Sequence, residues 1–314
     1  MITLGMIGLN EGNGHPFSYS AIFNGYDSVA LKERCPYELV REYLPAEHRN
    51  ENLLEGAKVT HIWTQDKKIS EDVAAVSKIP NIVGHYMDLI GKVDAVILAR
   101  DDVQNHLEMA KPFLEKKVPL FIDKQLVATK SELDEFMRLA GPEYPLMAGS
   151  SSRFTRELAE AKNSLQLDSV KTIHGVSRES WMRYGHHLFE EIASVWGLDI
   201  TWVRSLSGEP DHDIVQVHYR SGLNVMLEFI KDAHLPIQFT AYSTSKEPYV
   251  VPYTDYFYSF REMLKAFASI VETGKKSIPY QEMLDIAKVI LAGDISKKNN
   301  GVAVSPKTLE PTRV

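Results

Sequence analysis

Short apolar runs alternate with amphipathic stretches through the first half of the chain. Residues 2–9, 59–63, 95–99 and 120–122 are such runs, each closed by polar or turn residues. That pattern predicts parallel strands buried on both faces. Helical periodicity fills the gaps. Residues 70–78 carry Val73, Ala74 and Val76, with Ser70 as the expected N-cap and Asp72 in the first turn. Residues 104–116 repeat Leu107, Ala110 and Leu114, and residues 131–140 open on Ser131 and repeat Leu133, Phe136, Met137, Leu139 and Ala140. Strand and helix in alternation predict an α/β unit with a doubly wound parallel sheet. Residues 25–56 break this rhythm and read as an insertion, because a crossover helix needs less chain.

The second half changes period. Residues 171–178, 201–206, 214–219, 223–230 and 237–242 alternate apolar and polar positions, and Arg220-Ser221-Gly222 is a hairpin signal between two of them. A large, mainly antiparallel sheet follows, flanked by helices at 155–166, 187–196, 258–273 and 280–292. The reading is a dinucleotide-binding Rossmann domain over residues 1–123 and an α+β domain for substrate binding and oligomerisation over residues 124–314.

Composition narrows the function classes. The chain has 314 residues, enough for two cores, with 44% hydrophobic and 25% charged positions. A net charge of -7 without Lys or Arg clusters argues against nucleic acid as a partner. The one cysteine, Cys35, cannot close an internal disulfide and fits a reducing compartment. No basic leader and no long apolar segment stands out, so the expectation is a cytoplasmic protein without a membrane partner. Asp211, His212 and Asp213 are adjacent in a turn and converge poorly on one ion, so no metal is expected.

The candidate chemistry begins where the first run ends, at Gly8-Leu9-Asn10-Glu11-Gly12-Asn13-Gly14-His15. Glycines here let the backbone approach a pyrophosphate, and the next helix offers unpaired N–H groups. The spacing is G-x-x-x-G-x-G, with Asn10 where the usual fingerprint has glycine and Glu11 near the phosphates. Gly8, Asn10, Gly12, Asn13 and Gly14 are the candidate phosphate contacts; a glycine-rich turn without a ligand would read the same. Asp66, ending the second run, suits a ribose hydroxyl and favours NAD over NADP, and suits a helix cap equally. His15 stands at the mouth of this loop as a candidate substrate contact.

The order of segments resembles the Gfo/Idh/MocA family of sugar and cyclitol dehydrogenases. The resemblance rests on the stretch 93–99 with Asn105-His106, on 118–127 around Asp123-Lys124-Gln125, on Ser152-Arg153-Phe154, on Gly185-His186-His187-Leu188-Phe189-Glu190, and on the closing helices 260–296. It implies an NAD(P)-dependent dehydrogenase that moves a hydride between nicotinamide and a hydroxyl-bearing carbon. Lys124 and His187 take the catalytic positions. Asp101 and His106 join the cofactor contacts, and Arg153, Trp181, Arg183 and His186 join His15 around a sugar-like substrate. A homodimer or homotetramer is implied as well, and Val225, Leu227 and Phe229 alternating with Asn224, Met226 and Glu228 give the sheet two fairly apolar faces.

This chain departs from the pattern at three places. Asp123 replaces a glutamate, Gln125 replaces a proline, and Arg183 stands where the family often has an aspartate four residues before the histidine. A guanidinium is no base. These departures keep open a cofactor-binding homologue with weakened catalysis and a redox-neutral variant. The glycine turn with an acid after the second strand also keeps open an S-adenosylmethionine-dependent methyltransferase.

Overall fold

The computed structural model describes residues 1–47, 53–206 and 209–310. The chain divides into two compact units. The first is assembled from Met1–Val127, Glu135–Ala148 and Phe260–Tyr280, the second from Ala128–Asp134, Gly149–Ser259 and Gln281–Val314. Residues 135–148 and 260–280 thus belong with the N-terminal unit, although the sequence reading placed them beyond a boundary at 123.

The first unit holds a six-stranded sheet made of β1 (Ile2–Ile7), β2 (Ala57–Trp63), β3 (Asn81–Ile82), β4 (Ala95–Leu98), β5 (Leu120–Asp123) and β6 (Leu146–Gly149). Their order is β3-β2-β1-β4-β5-β6, and β1 pairs in parallel with both β2 and β4. This is the doubly wound Rossmann order, whose direction reverses between β1 and β4. Every residue of β4 and β5 is buried, as continuous apolar runs require.

The crossover helices are α1 (His15–Asn24), α4 (Lys67–Val76) and α5 (His106–Glu115). The insertion adds α2 (Ser28–Arg34) and α3 (Glu38–Glu47) between α1 and β2. Asp27 caps α2 by accepting from the N–H groups of Val29 and Ala30. Residues 48–52, within the expected insertion, lie outside the described residues.

Two expected caps are displaced. The start of α4 is capped by Asp66, whose carboxylate accepts from the Lys68 N–H at 2.7 Å. Ser70 lies inside that helix, and its hydroxyl accepts from the Thr64 N–H at 2.9 Å. In α6 (Lys130–Leu139) Ser131 is also internal. Thr129 and Glu132 form the cap, Glu132 accepting from the Ala128 and Thr129 N–H groups and donating its own N–H to the Thr129 hydroxyl.

The second unit carries β7 (Val170–Arg178), β8 (Ile200–Ser205), β9 (His212–Tyr219), β10 (Asn224–Ile230), β11 (Gln238–Ser243) and β12 (Tyr249–Pro252) in the order β12-β11-β7-β10-β9-β8. All neighbours are antiparallel except β7 with β10. The β9–β10 turn is the expected hairpin, with Gly222 at φ +89 donating to the Tyr219 carbonyl. Val225, Leu227 and Phe229 are fully buried, while Asn224, Met226 and Glu228 on the other face are half-buried.

The helices α7 (Arg156–Ser164), α8 (Trp181–Trp196), α9 (Tyr256–Thr273) and α10 (Tyr280–Lys298) complete the chain. Helix α8 starts six residues before the expected His187. Its first N–H, at Trp181, donates to Asp213 of β9 at 2.8 Å. Gly185 hides this start from a propensity reading. An added Cβ there would stand 2.5 Å from the Trp181 ring, so glycine is the residue that lets the indole lie against the helix.

Candidate active site

The first unit's site forms at the reversal point of the sheet, where β1 and β4 end side by side. The glycine loop leaves β1 there. Its backbone is pinned at Leu9, whose N–H donates to Gln65 at 3.0 Å and whose carbonyl accepts from Arg100 at 3.1 Å. Arg100, just past β4, also donates to Gln65 and forms a two-pronged pair with Asp102 at 2.5 and 2.8 Å.

Asn10 turns toward the end of β4, donating to Asp101 Oδ1 and accepting from the Asp101 N–H. Glu11 and Gly12 are exposed, while Asn13 and Gly14 are buried. Gly12 sits at φ +80, which favours glycine. Asn13 Oδ1 accepts from the His15 N–H at 2.9 Å, at the start of α1. Gly14 touches the insertion, since an added Cβ would lie 2.9 Å from the Tyr37 ring. Tyr37 and its neighbours line a cavity of about 480 Å³ with Leu9, Phe17 and Ile69. Burial, with the nearby Cys35 adding to it, pushes the Tyr37 hydroxyl up to about 12, so it stays neutral beside the loop.

Behind the loop, β5 ends in Asp123, and Lys124 follows it. Lys124 has a left-handed backbone, φ +69, and a buried side chain. Its ammonium stands 3.3 Å from Asp101 Oδ2 and 3.4 Å from Asp123 Oδ2. The same Asp123 oxygen is 2.5 Å from His15 Nδ1, and Asp123 Oδ1 accepts from the Tyr19 hydroxyl at 3.1 Å. Asn13, Lys124 and His15 thus meet at the Asp123 carboxylate, while Asn10 and Lys124 meet at that of Asp101. Asp123 appeared in the sequence only as a departure from the family pattern, and its hub position was not visible because its partner His15 lies 108 residues away.

His106 is placed differently from expectation. It is fully buried, with Nδ1 at 2.7 Å from the Gln125 carbonyl and Nε2 at 3.1 Å from the Arg100 carbonyl. Burial holds its pKa below the usual histidine range, against the pull of those carbonyls. The neutral ring donates its one N–H to one of these carbonyls and lies against the other, so it packs between the Lys124 turn and the end of β4. Asp66 is exposed while it caps α4.

The second unit gathers its candidates on α8. His187 is buried, with Nδ1 2.5 Å from the Ser150 hydroxyl and Tyr184 edge-on at 5.0 Å. Arg183, one turn earlier on the same face, pairs with Glu179 at 3.3 Å and keeps a third of its side chain exposed. His186 is buried 2.7 Å from Glu190. Two of the expected substrate contacts are core residues instead. Trp181 is 2% exposed and donates its indole N–H to the Ile290 carbonyl at 2.8 Å. Arg153 is locked between Glu190, at 2.8 Å, and Glu282, so its donors serve an internal ion-pair network. Glu190 also accepts from the Ser150 N–H at 2.6 Å, which ties this network to the residue holding His187.

Residues 40–143 match the model of a family described as GFO_IDH_MocA, the oxidoreductase family with an NAD-binding Rossmann fold. The match covers about a third of the chain and lies mostly within the first unit. No curated protein sequence matches the chain. Among solved structures, myo-inositol 2-dehydrogenase from Lactobacillus plantarum has a TM-score of 0.75 at 14% identity, over 97% of this chain and 99% of that one. A probable dehydrogenase from Thermotoga maritima has a TM-score of 0.73 at 14% identity, over 98% and 100%. Scyllo-inositol dehydrogenase from Lactobacillus casei, with bound NAD(H) and scyllo-inositol, has a TM-score of 0.71 at 12% identity, over 98% and 99%. At such identities the likeness is one of fold. The family match gives the methyltransferase alternative no support. Among the described residues no helix is long and apolar enough to cross a membrane, and no group of His, Cys, Asp and Glu is arranged to hold a metal.

Proposed function

We propose that the protein is an NAD(P)-dependent dehydrogenase acting on a hydroxyl-bearing carbon of a cyclitol, a sugar or a sugar derivative. The observation that carries this reading is the buried Lys124, paired with Asp101 and Asp123 behind the glycine loop. The loop's own features support a dinucleotide. Gly12 has its left-handed backbone, and Gly14 leaves no room for a Cβ. Gly8, Gly12, Asn13 and Gly14 would hold the pyrophosphate, Asp66 the ribose, and the cavity lined by Leu9, Tyr37 and Ile69 the adenosine. Lys32, Arg34 and Arg41 also line that cavity, so NAD and NADP both remain candidates. When bound, the nicotinamide supplies the hydride acceptor or donor.

The chain's own groups do the rest. Lys124 donates a hydrogen bond to the reacting oxygen, while Asp101 and Asp123 hold the ammonium in place. His187, oriented by Ser150, is proposed as a second group on the substrate, and Arg183 as a contact for an acidic substituent. The half-buried face of the second sheet is proposed as the surface of a homodimer or homotetramer.

The test is a titration of the full chain with NADH and NADPH, read by quenching of its tryptophans. A screen with myo-inositol, scyllo-inositol and L-tartrate under NAD+ and NADP+ follows. Saturable binding with turnover supports the reading, and absence of binding by either cofactor overturns it. A second reading, a cofactor-binding homologue with weakened chemistry, is favoured by Arg183 in the place of an acid. Binding without turnover of any polyol selects it.

A further inference from the structure

We infer that His15 is the acid–base residue of the proposed dehydrogenase, held in its working tautomer by Asp123. The inference rests on the dehydrogenase reading and adds to it a group from the glycine loop.

The geometry is that of a base and its orienting acid. Asp123 is buried and stands 2.5 Å from His15 Nδ1. A carboxylate only accepts, so Nδ1–H donates to it and Nε2 keeps its lone pair. The ring is fixed on its other sides. It stacks on Tyr19 at 4.5 Å and takes the edge of Phe260 at 5.1 Å. Its backbone N–H is tied to Asn13. No described protein group bonds to Nε2, and 17% of the side chain stays exposed. A histidine that only packed would not need a buried carboxylate at so short a distance.

Lys124 is suited to the complementary task. Two carboxylates beside one ammonium favour its charged, donating form. The lysine therefore stabilises the oxygen, and the histidine moves the proton. In the oxidation, the hydroxyl proton passes to His15 Nε2 and the O–H electron pair becomes the second C–O bond. A bound oxidised nicotinamide would take the hydride from the same carbon, so alcohol, oxidised cofactor and neutral imidazole would give ketone, reduced cofactor and imidazolium. Among the described residues, the titratable groups against His15 are Asp123 and Tyr19, with Lys124 sharing the Asp123 oxygen, and Asp123 is the positioning residue.

The test uses the full chain and two variants, His15→Gln and Asp123→Asn. Imidazole nitrogen NMR on histidine-labelled protein reads the tautomer, with His15→Gln assigning the signal. The neutral ring is expected to carry its proton on Nδ1, and Asp123→Asn is expected to abolish that preference. With the polyol that the screen shows to be oxidised, His15→Gln is expected to lower kcat about 10²–10⁴-fold. It is also expected to remove the acid limb of the pH profile and to leave the NADH Kd within about threefold. A neutral His15 protonated on Nε2, or a His15→Gln protein with the wild-type rate and profile, overturns the inference. Failure of the wild-type chain to bind NADH or NADPH overturns the dehydrogenase reading itself, which keeps the two failures apart.

Discussion

Asn10 and Asp101 exchange two hydrogen bonds across the sheet's reversal point, side chain to side chain and backbone N–H to side chain. Asn10 occupies the place where the usual fingerprint has a glycine. The chain has traded backbone freedom at that position for a clamp between the glycine loop and the carboxylate that holds Lys124. Asn10→Ala is expected to remove both hydrogen bonds to Asp101 and to cost about 1–3 kcal/mol in urea unfolding. The same variant is expected to weaken NADH binding about tenfold, equivalent to about 1.4 kcal/mol.

Glu191 yields a prediction about pH. It is 1% exposed, and burial, with the charges of Glu157 and Glu190 adding to it, holds its pKa well above the ordinary value of 4.5. A raised acid is protonated in the fold while ionised in the unfolded chain, so the fold binds the extra proton. Its contribution is complete below the ordinary carboxyl range and is lost as pH rises above about 4.5. The slope is about 1.4 kcal/mol per pH unit while the folded group stays neutral. Glu191→Gln, neutral at every pH, is expected to match the wild type near pH 4.5 and to gain on it steadily toward pH 8. Parallel stability curves for the two proteins would refute this.

Gly293 lies under the Trp181 indole, and an added Cβ would collide with Nε1 of that ring. The ring cannot retreat freely, because Nε1 donates to the Ile290 carbonyl and Phe229 closes the other side at 5.7 Å. Gly293→Ala is expected to cost about 1–3 kcal/mol through overpacking. Denaturant unfolding measures the loss, and a changed tryptophan emission spectrum reports the displaced ring.

The half-buried sheet face carries Ile214, Met226 and the stacked pair Trp202–His218, whose centroids are 5.0 Å apart. Light scattering of the wild type is expected to give a multiple of the 35.5 kDa chain mass, and Met226→Asp a single chain. A single-chain mass for the wild type removes the proposed assembly.

How legible was all this in the sequence? The buried strands were, because β4 and β5 are unbroken apolar runs. β6 was not, since its four residues end in Gly149 and follow Pro145, and short apolar runs carry no periodicity. β3 is a two-residue exposed strand with no pattern to read. Lys124 and Asp101 could be found by resemblance, whereas the His15–Asp123 pair could not, because sequence patterns record local spacing and these residues meet only through the sheet. Trp181 and Arg153 misled for the opposite reason. Residue types suited to sugar binding are equally suited to a core indole and an internal ion pair, and burial decides between them.

The three-part make-up of the first unit has a consequence for how the protein is made. Its last piece, Phe260–Tyr280, is separated from Ala148 by the body of the second unit. That piece brings Phe260 against His15, Tyr19 and Tyr43, and Phe267 against Phe121. A ribosome adding about 5–20 residues per second delivers it on the order of 5–20 s after β6 has emerged. Until then the ring of His15 lacks one of its walls, so the nascent chain exposes an unfinished aromatic surface that a chaperone is suited to cover.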